Sequence, residues 1–467
     1  MPQEIELTPA AIARAVGGEL VGPEGGRRLS GFSFDTRTLA PGDVFFAIRG
    51  ARDGNAFVAD AVAKGAAAAV VSDRALVESS RLAGTPLVVV GDALEALQAL
   101  ARYVRRASGA AVVAVTGSAG KSTTKEMTAE LLSARYRVFR NKGNLNNHIG
   151  LPLSLLELRR KPDIGVLELG MNHAGEIRTL VNIAEPEVRV WTNVGPAHLE
   201  FFASVDAIAE AKAEILEGAK TDDLLVANAD DRRVMRHAAR FRGRVSTFGL
   251  EAPADVQASN VRDLGVDGTA ARVRTPVGEA DLHTSLPGTA NLSNLLAATA
   301  VALRFEVPLS EIVAGAAELK PLPRRGEMTK AGGVTIVDDS YNSNPRALSK
   351  ALATMAGEAR FARRVALIGE MLELGDTSEA LHRAAGEEAA KSGLTVLVAV
   401  GGAPARALAD GAVHGGMSAS AVHYLKDSTS AADLAMTLIR PGDLVLVKGS
   451  RGIRMDVVVD RLKAELG

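Results

Sequence analysis

Thr116-Gly117-Ser118-Ala119-Gly120-Lys121-Ser122-Thr123-Thr124 holds the residues best suited to chemistry. Glycines leave backbone N–H groups open to converge on anionic oxygens that side chains would otherwise block. A helix starting at Lys121 would add its positive dipole end. Gly117, Ser118, Ala119, Gly120, Lys121, Ser122 and Thr123 therefore read as a phosphate cradle. Lys121 would supply a charge to the β/γ phosphates, and the Ser122 hydroxyl could ligate Mg²⁺. The loop is shorter than the general form: Val115 stands where that form has glycine. A tight strand-to-helix turn with a chance Gly-Lys-Ser is the bland alternative.

Three more residues could join such a centre. Glu168 ends the apolar run from Ile164, where a carboxylate would face Mg²⁺ at the edge of a parallel sheet. His198 closes Thr192-Asn193-Val194-Gly195-Pro196-Ala197-His198, a loop leaving the next strand. Taken singly, each could be an ordinary surface residue. Lys212 falls between Ile208 and Ile215 on an apolar helical stripe, with Glu210 and Glu214 off it. An inward lysine either snorkels or loses its proton; a neutral amine can react with CO₂ to give an anionic carbamate.

Positioning these residues requires alternating strands and helices. Val44 to Ile48, Ala67 to Val71 and Leu87 to Val90 read as strands, and Asp92 to Ala107 as a helix with Asp92 as its cap. Ala111 to Val115 is an apolar run of the buried parallel type, followed by strands at Ile164 to Glu168, Val188 to Thr192 and Leu224 to Ala227. Pro253 to Leu286 reads as an antiparallel insertion, and Asn291 to Leu303 as a helix. Strands at Val334 to Val337, Val365 to Ile368, Val396 to Val400 and Leu444 to Val447 form a second doubly wound sheet. The expectation is an α/β protein of three domains: residues 1–91, a central P-loop ATPase-like domain over 92–318, and a Rossmann-like domain over 319–467.

Composition agrees. The 467 residues, 47% of them hydrophobic, suit about three domains at roughly 150 residues each. Lys and Arg number 54 against 55 Asp and Glu, which argues against nucleic acid as partner. There is no cysteine, so any metal would be held by oxygen or imidazole. With no apolar run near the ~20 residues that span a bilayer, no membrane insertion is expected. The N-terminus has no signal-peptide pattern, so a cytoplasmic protein is expected, and it is taken as a monomer.

These motifs, in this order, resemble the Mur ligases. The short Thr-Gly-x-x-Gly-Lys-Ser loop, the Glu168 strand end, the Asn193 to His198 segment and Ala211-Lys212-Ala213 are similar to that family's ATP centre. The resemblance implies ATP and Mg²⁺, with Ser122 and Glu168 on one ion and His198 and carbamylated Lys212 serving a second. Asn291 and Asn294 would contact the nucleotide, and Asp339 its ribose. Lys121, His198, Lys212 and Arg325 would be catalytic; Arg324 is the alternative to Arg325.

Gly143-Asn144-Leu145-Asn146-Asn147-His148-Ile149-Gly150 and Asp338-Asp339-Ser340-Tyr341-Asn342-Ser343-Asn344-Pro345 resemble the branch that adds D-alanyl-D-alanine to UDP-N-acetylmuramoyl-tripeptide. By that likeness those two molecules are the partners, bound through Ser33, Asp35, Thr36, Arg37, Asn146, Asn147, Tyr341, Asn342, Lys448, Ser450 and Arg451. Glu370 departs mildly from a family Asp. Another amine acceptor within the family, or a P-loop ATPase with no ligase activity, are the rival readings.

Overall fold

Ala111–Thr116 forms an interior strand of a nine-stranded sheet because its side chains are apolar on both faces. Val112 and Ala114 enter one core and Val113 and Val115 the opposite one, as the two-residue strand period requires. Each such valine contributes about 1.5–3 kcal/mol on full burial. This computed structural model describes residues 4–23, 29–196 and 199–467.

In spatial order the large sheet runs Gly278–Thr284, Thr269–Thr275, Val256–Asp263, Arg244–Gly249, Leu224–Asn228, Val188–Trp191, Ala111–Thr116, Ile164–Glu168, Val138–Arg140. Every pairing from Val256–Asp263 onward is parallel. Ala111–Thr116 lies between Ile164–Glu168 and Val188–Trp191, with Val115 opposite Glu168 and Thr116 opposite Trp191. Successive strands depart to opposite sides of Ala111–Thr116, so a crevice opens at its carboxyl end.

Two smaller sheets flank it in sequence. The first has five strands, ordered Glu19–Val21, Leu87–Val89, Ala68–Val71, Val44–Phe46 and Phe32–Ser33, with only Glu19–Val21 antiparallel. The third has six, ordered Glu327–Ala331, Val334–Asp339, Asp443–Lys448, Arg363–Gly369, Val396–Val400 and Val422–Leu425, again with one antiparallel edge. Arg159 ties the first sheet to the central region. Its guanidinium is 3.1 Å from Glu4, donates to the Ser30 carbonyl at 2.7 Å and lies over the Phe32 ring.

Helix Ala93–Ser108 starts as expected: the Asp92 carboxylate accepts from the Leu94 and Glu95 N–H groups at 2.7 and 2.9 Å. Such a cap is worth about 1 kcal/mol. Two expectations need correction. The Pro253–Leu286 region is the antiparallel edge of the large sheet, because Val256–Asp263 also pairs in parallel with Arg244–Gly249. The helix expected from Asn291 begins at Gly288, whose φ of 82° lets the chain turn in after Pro287. Glu214, off the apolar stripe of its helix, is nevertheless buried. Strand Arg244–Gly249 was not foreseen, because only its last two residues are buried and its apolar residues are dispersed. No helix among the described residues is long and apolar enough to cross a membrane.

Candidate active site

The turn after Ala111–Thr116 is locked from the neighbouring strand end. The Ala119 N–H donates to Asn193 Oδ1 at 3.0 Å, and the Ala119 carbonyl accepts from Asn193 Nδ2 at 3.0 Å and Thr192 Oγ1 at 2.7 Å. The Ser118 N–H donates to the Asn193 carbonyl, while its hydroxyl exchanges hydrogen bonds with Gly195. Two glycines permit this closeness. At Gly117, with φ 151°, a Cβ would overlap Thr192 Oγ1; at Gly120, with φ 83°, it would collide with Asn294 Oδ1. Gly117→Ala is expected to cost about 1–3 kcal/mol of stability through overpacking and to weaken nucleotide binding. Urea denaturation and calorimetric titration with an ATP analogue check both effects.

Beside the turn, Lys121 opens helix Lys121–Ser133 and its Nζ donates to the Gly117 carbonyl at 2.8 Å. The Ser122 hydroxyl donates to Glu168 Oε2 at 2.5 Å and accepts from Arg325 Nη2 at 3.0 Å. Glu168 is 4% exposed, and its other oxygen accepts from Asn146 Nδ2 at 2.8 Å. A buried carboxylate must be satisfied in this way or it stays protonated. Behind it, fully buried Asn141 accepts from the Glu168 N–H at 2.9 Å and donates to the Leu145 carbonyl at 2.8 Å. Buried Lys125 holds the Asn141 carbonyl at 2.5 Å and pairs with Glu126 at 2.8 Å.

Lys212, on helix Val205–Ala213, is 1% exposed, so it does not snorkel. Burial drives its proton off well below the ordinary lysine range; the nearby Lys121 charge acts the same way, and Glu168 opposes. Burial likewise lowers Lys121, with Glu168 and Glu373 raising it and Arg325 lowering it. Lys121, Ser122, Glu168, Lys212 and Arg325 are thus one electrostatic cluster. His198 lies outside the described residues. Two residues past Lys212, Glu214 accepts from the Gly175 and Arg178 N–H groups at 2.7 and 3.0 Å, capping helix Glu176–Ala184.

A divalent cation fits this donor set. Among the described residues no group of three or more His, Asp or Glu is disposed to hold a metal. A Mg²⁺ ion, however, keeps several waters and takes phosphate oxygens, so it needs only one or two protein oxygens. The Ser122 hydroxyl and the Glu168 carboxylate present such a pair, already at 2.5 Å.

The third sheet brings a second group to the cleft. Asp339 Oδ2 accepts from Lys448 Nζ at 2.6 Å, and the same ammonium reaches the Asn342 carbonyl at 3.0 Å. The Arg325 guanidinium stacks 4.0 Å from the Tyr341 ring centre, with Arg451 at 5.9 Å. Arg324 turns away to Asp456 at 2.6 Å, which separates the two arginines: Arg325 reaches Ser122. Ser450 is buried, its hydroxyl accepting from the Leu372 N–H at 2.9 Å.

Other expected residues stand elsewhere. Asn294 lies against Gly120, but Asn291 Nδ2 donates to the Pro287 carbonyl in its own helix at 2.8 Å. Asn147 Oδ1 accepts from the Gly150 N–H at 2.8 Å, capping Gly150–Leu155. Ser33, Asp35, Thr36 and Arg37 form a loop of the first sheet. Arg37 grips Asp35 at 2.6 Å and, chiefly through that hydrogen bond, lowers its carboxyl pKa to about 2. Lys64 caps the Thr36 carbonyl at 2.7 Å. A groove of about 650 Å³ opens on the antiparallel edge between Asn260 and His283, but none of its lining residues belongs to the cluster around Lys121.

Sequence reading missed Asn141, Lys125 and the clamping role of Asn193. A lysine on the same face as Ser122 and Thr128 was a signal for Lys125; nothing local marks Asn141.

Fold and site together describe a nucleotide-dependent enzyme in which Arg325, at the start of the third sheet's region, reaches the phosphate loop's Ser122. Residues 28–115 match the Mur ligase family catalytic domain, 115–302 the Mur ligase middle domain, and 324–451 the Mur ligase glutamate ligase domain. The chain is 35% identical to the UDP-N-acetylmuramoyl-tripeptide–D-alanyl-D-alanine ligase of Escherichia coli (strain K12), over 98% of this chain and 99% of that one. It is 32% identical to the ligase of the same name from Bacillus subtilis (strain 168), over 98% of each. A crystal structure of MurF from Acinetobacter baumannii superposes with a TM-score of 0.88 at 30% identity, covering 99% of this chain and 100% of that one. MurF ligase from Thermotoga maritima in complex with ADP gives 0.81 at 30% identity, over 93% and 97%. The chain belongs to the Mur ligase family.

Proposed function

We propose that this chain joins D-alanyl-D-alanine to UDP-N-acetylmuramoyl-tripeptide at the expense of ATP, through an acyl phosphate. The observation that carries this is the meeting of Lys121, Ser122, Glu168, Lys212 and Arg325 at one strand-end crevice, in a chain collinear with ligases of that name. The domains are taken as residues 1–91 for the UDP-muramoyl substrate, 92–318 for ATP and 319–467 for closure. Ser33, Asp35, Thr36 and Arg37 are assigned to the UDP end. Asn146, Asn147, Tyr341, Asn342, Lys448, Ser450 and Arg451 are assigned to the peptide end and its surroundings, and Asp339 to the ribose.

A carboxylate is a poor electrophile at neutral pH. Its attack on the γ-phosphate forms the C–O–P bond and expels ADP; the dipeptide amine then adds to the carbonyl, and collapse expels phosphate. Lys121 and Arg325 offset charge on the transferring group, and the helix beginning at Lys121 directs N–H groups at it. Mg²⁺ on Ser122 and Glu168 would neutralise phosphate charge. Lys212, whose amine burial shifts toward the neutral form, is proposed to carry a carbamate that, with His198, would serve a second Mg²⁺. The third domain, through Tyr341 and Arg451, excludes water from the acyl phosphate.

The test is phosphate release from ATP and Mg²⁺ with UDP-muramoyl tripeptide, with and without D-alanyl-D-alanine. Release that depends on the dipeptide is expected, and other amines run in parallel should give little. Release indifferent to the acceptor in folded protein would remove the ligase assignment.

A further inference from the structure

Helix Pro345–Gly357 runs from the crevice to a contact far from it. At its first turn Arg346 stands 4.0 Å from Asp231, whose carboxylate also accepts from the Val194 N–H, and packs near Gly195. Thirteen residues at 1.5 Å each carry the helix about 20 Å. Beyond its far end, Glu358 is 2% exposed. Its carboxylate accepts from the Val266 N–H and is held by Arg360 at 3.1 and 3.2 Å. Arg360 also reaches Asp267 at 2.5 Å.

Gly265, Val266 and Asp267 form the turn between strands Val256–Asp263 and Thr269–Thr275, on the antiparallel edge of the central sheet. Val266 packs against the core of the third sheet. The turn is braced internally: the Gly265 N–H donates to Asp263 Oδ1 at 2.9 Å, and the Gly268 N–H to the Gly265 carbonyl at 3.2 Å. Gly265 has φ 62°, and a Cβ there would overlap the Glu358 carboxylate. With the turn seated, the buried carboxylate is satisfied by the Val266 N–H and by Arg360 together, as a buried charge requires.

We infer that Glu358 and Arg360, with the turn Gly265–Asp267, are positioning residues: they clasp the third domain to the central one, and helix Pro345–Gly357 transmits that placement to Arg346 at the crevice. The antiparallel edge thereby acquires a role that the nucleotide chemistry does not give it. The inference rests on the ligase reading only for its turnover measurement.

The experiment compares wild type with Gly265→Ala and Glu358→Gln, full length, each checked for folding by its thermal transition. Turnover, binding of an ATP analogue, and small-angle scattering with that analogue and Mg²⁺ are measured. For Gly265→Ala, kcat is expected to fall about tenfold or more, the scale of loss from a small misplacement remote from the chemistry. The radius of gyration rises and analogue affinity stays within about twofold, because the phosphate loop is untouched. Glu358→Gln keeps an acceptor for Val266 and shows the same changes at smaller size. Should Gly265→Ala not fold, Glu358→Gln decides. Unchanged kcat, unchanged scattering, or affinity falling in step with kcat overturns the clasp. Wild-type protein lacking acceptor-dependent release sinks the ligase reading instead, while scattering with the analogue still reads the clasp.

Discussion

Lys212→Ala is expected to lower ligation about a thousandfold, the upper end for losing one preorganised charge stabiliser. The lysine is 1% exposed, and its pKa is lowered by burial first and by the Lys121 charge second. A neutral amine is the form that reacts with CO₂, so the lowered pKa favours carbamate formation. The sign follows from the lowered pKa. As pH falls through it, the amine protonates, and reactivation of CO₂-depleted enzyme by bicarbonate should slow. In the variant, bicarbonate alone should do nothing, whereas a short carboxylate such as acetate should restore part of the rate by occupying the carbamate's place. Initial rates of dipeptide-dependent phosphate release read all three outcomes. Wild-type rates in Lys212→Ala would refute the role.

Glu168→Ala should be as severe in rate and should also cost stability. It leaves the Ser122 hydroxyl and the Asn146 amide without the acceptor they now share, at about 1–3 kcal/mol for each buried donor left unpaired. Glu168→Gln preserves shape and one acceptor, so its stability should recover more than its activity. The discriminating measurement is a Mg²⁺ titration of both rate and ATP-analogue binding. The Mg²⁺ requirement should rise roughly tenfold or more in both variants, because one of two protein oxygens for the ion is weakened or gone. Denaturant unfolding separates this from loss of fold. An unchanged Mg²⁺ requirement in Glu168→Gln would place the carboxylate outside the metal's reach.

Much of the architecture was legible because strands buried on both faces must be continuously apolar. Ala111–Thr116, Ile164–Glu168 and Val396–Val400 announce themselves that way, and the Asp92 cap by its short acceptor before an apolar-periodic run. Partly exposed strands such as Arg244–Gly249 lack that signal, because the strands on either side, not their own composition, define them. Asn147 and Asn291 each use one side-chain atom to hydrogen-bond nearby backbone, a contact their residue type alone does not reveal. Asn141 is silent in sequence, since an asparagine bridging two strand ends has no local signature.

Residue type and chain order by themselves determined the phosphate loop, the three-sheet plan and the candidates Lys121, Ser122, Glu168 and Lys212, because glycine freedom, apolar period and charge are local properties. Whether Lys212 snorkels or is buried, which of Arg324 and Arg325 reaches Ser122, and how Glu358 meets Gly265 were decided only by tertiary structure. Desolvation and pairing depend on atoms tens to hundreds of residues away, and no window along the chain contains them.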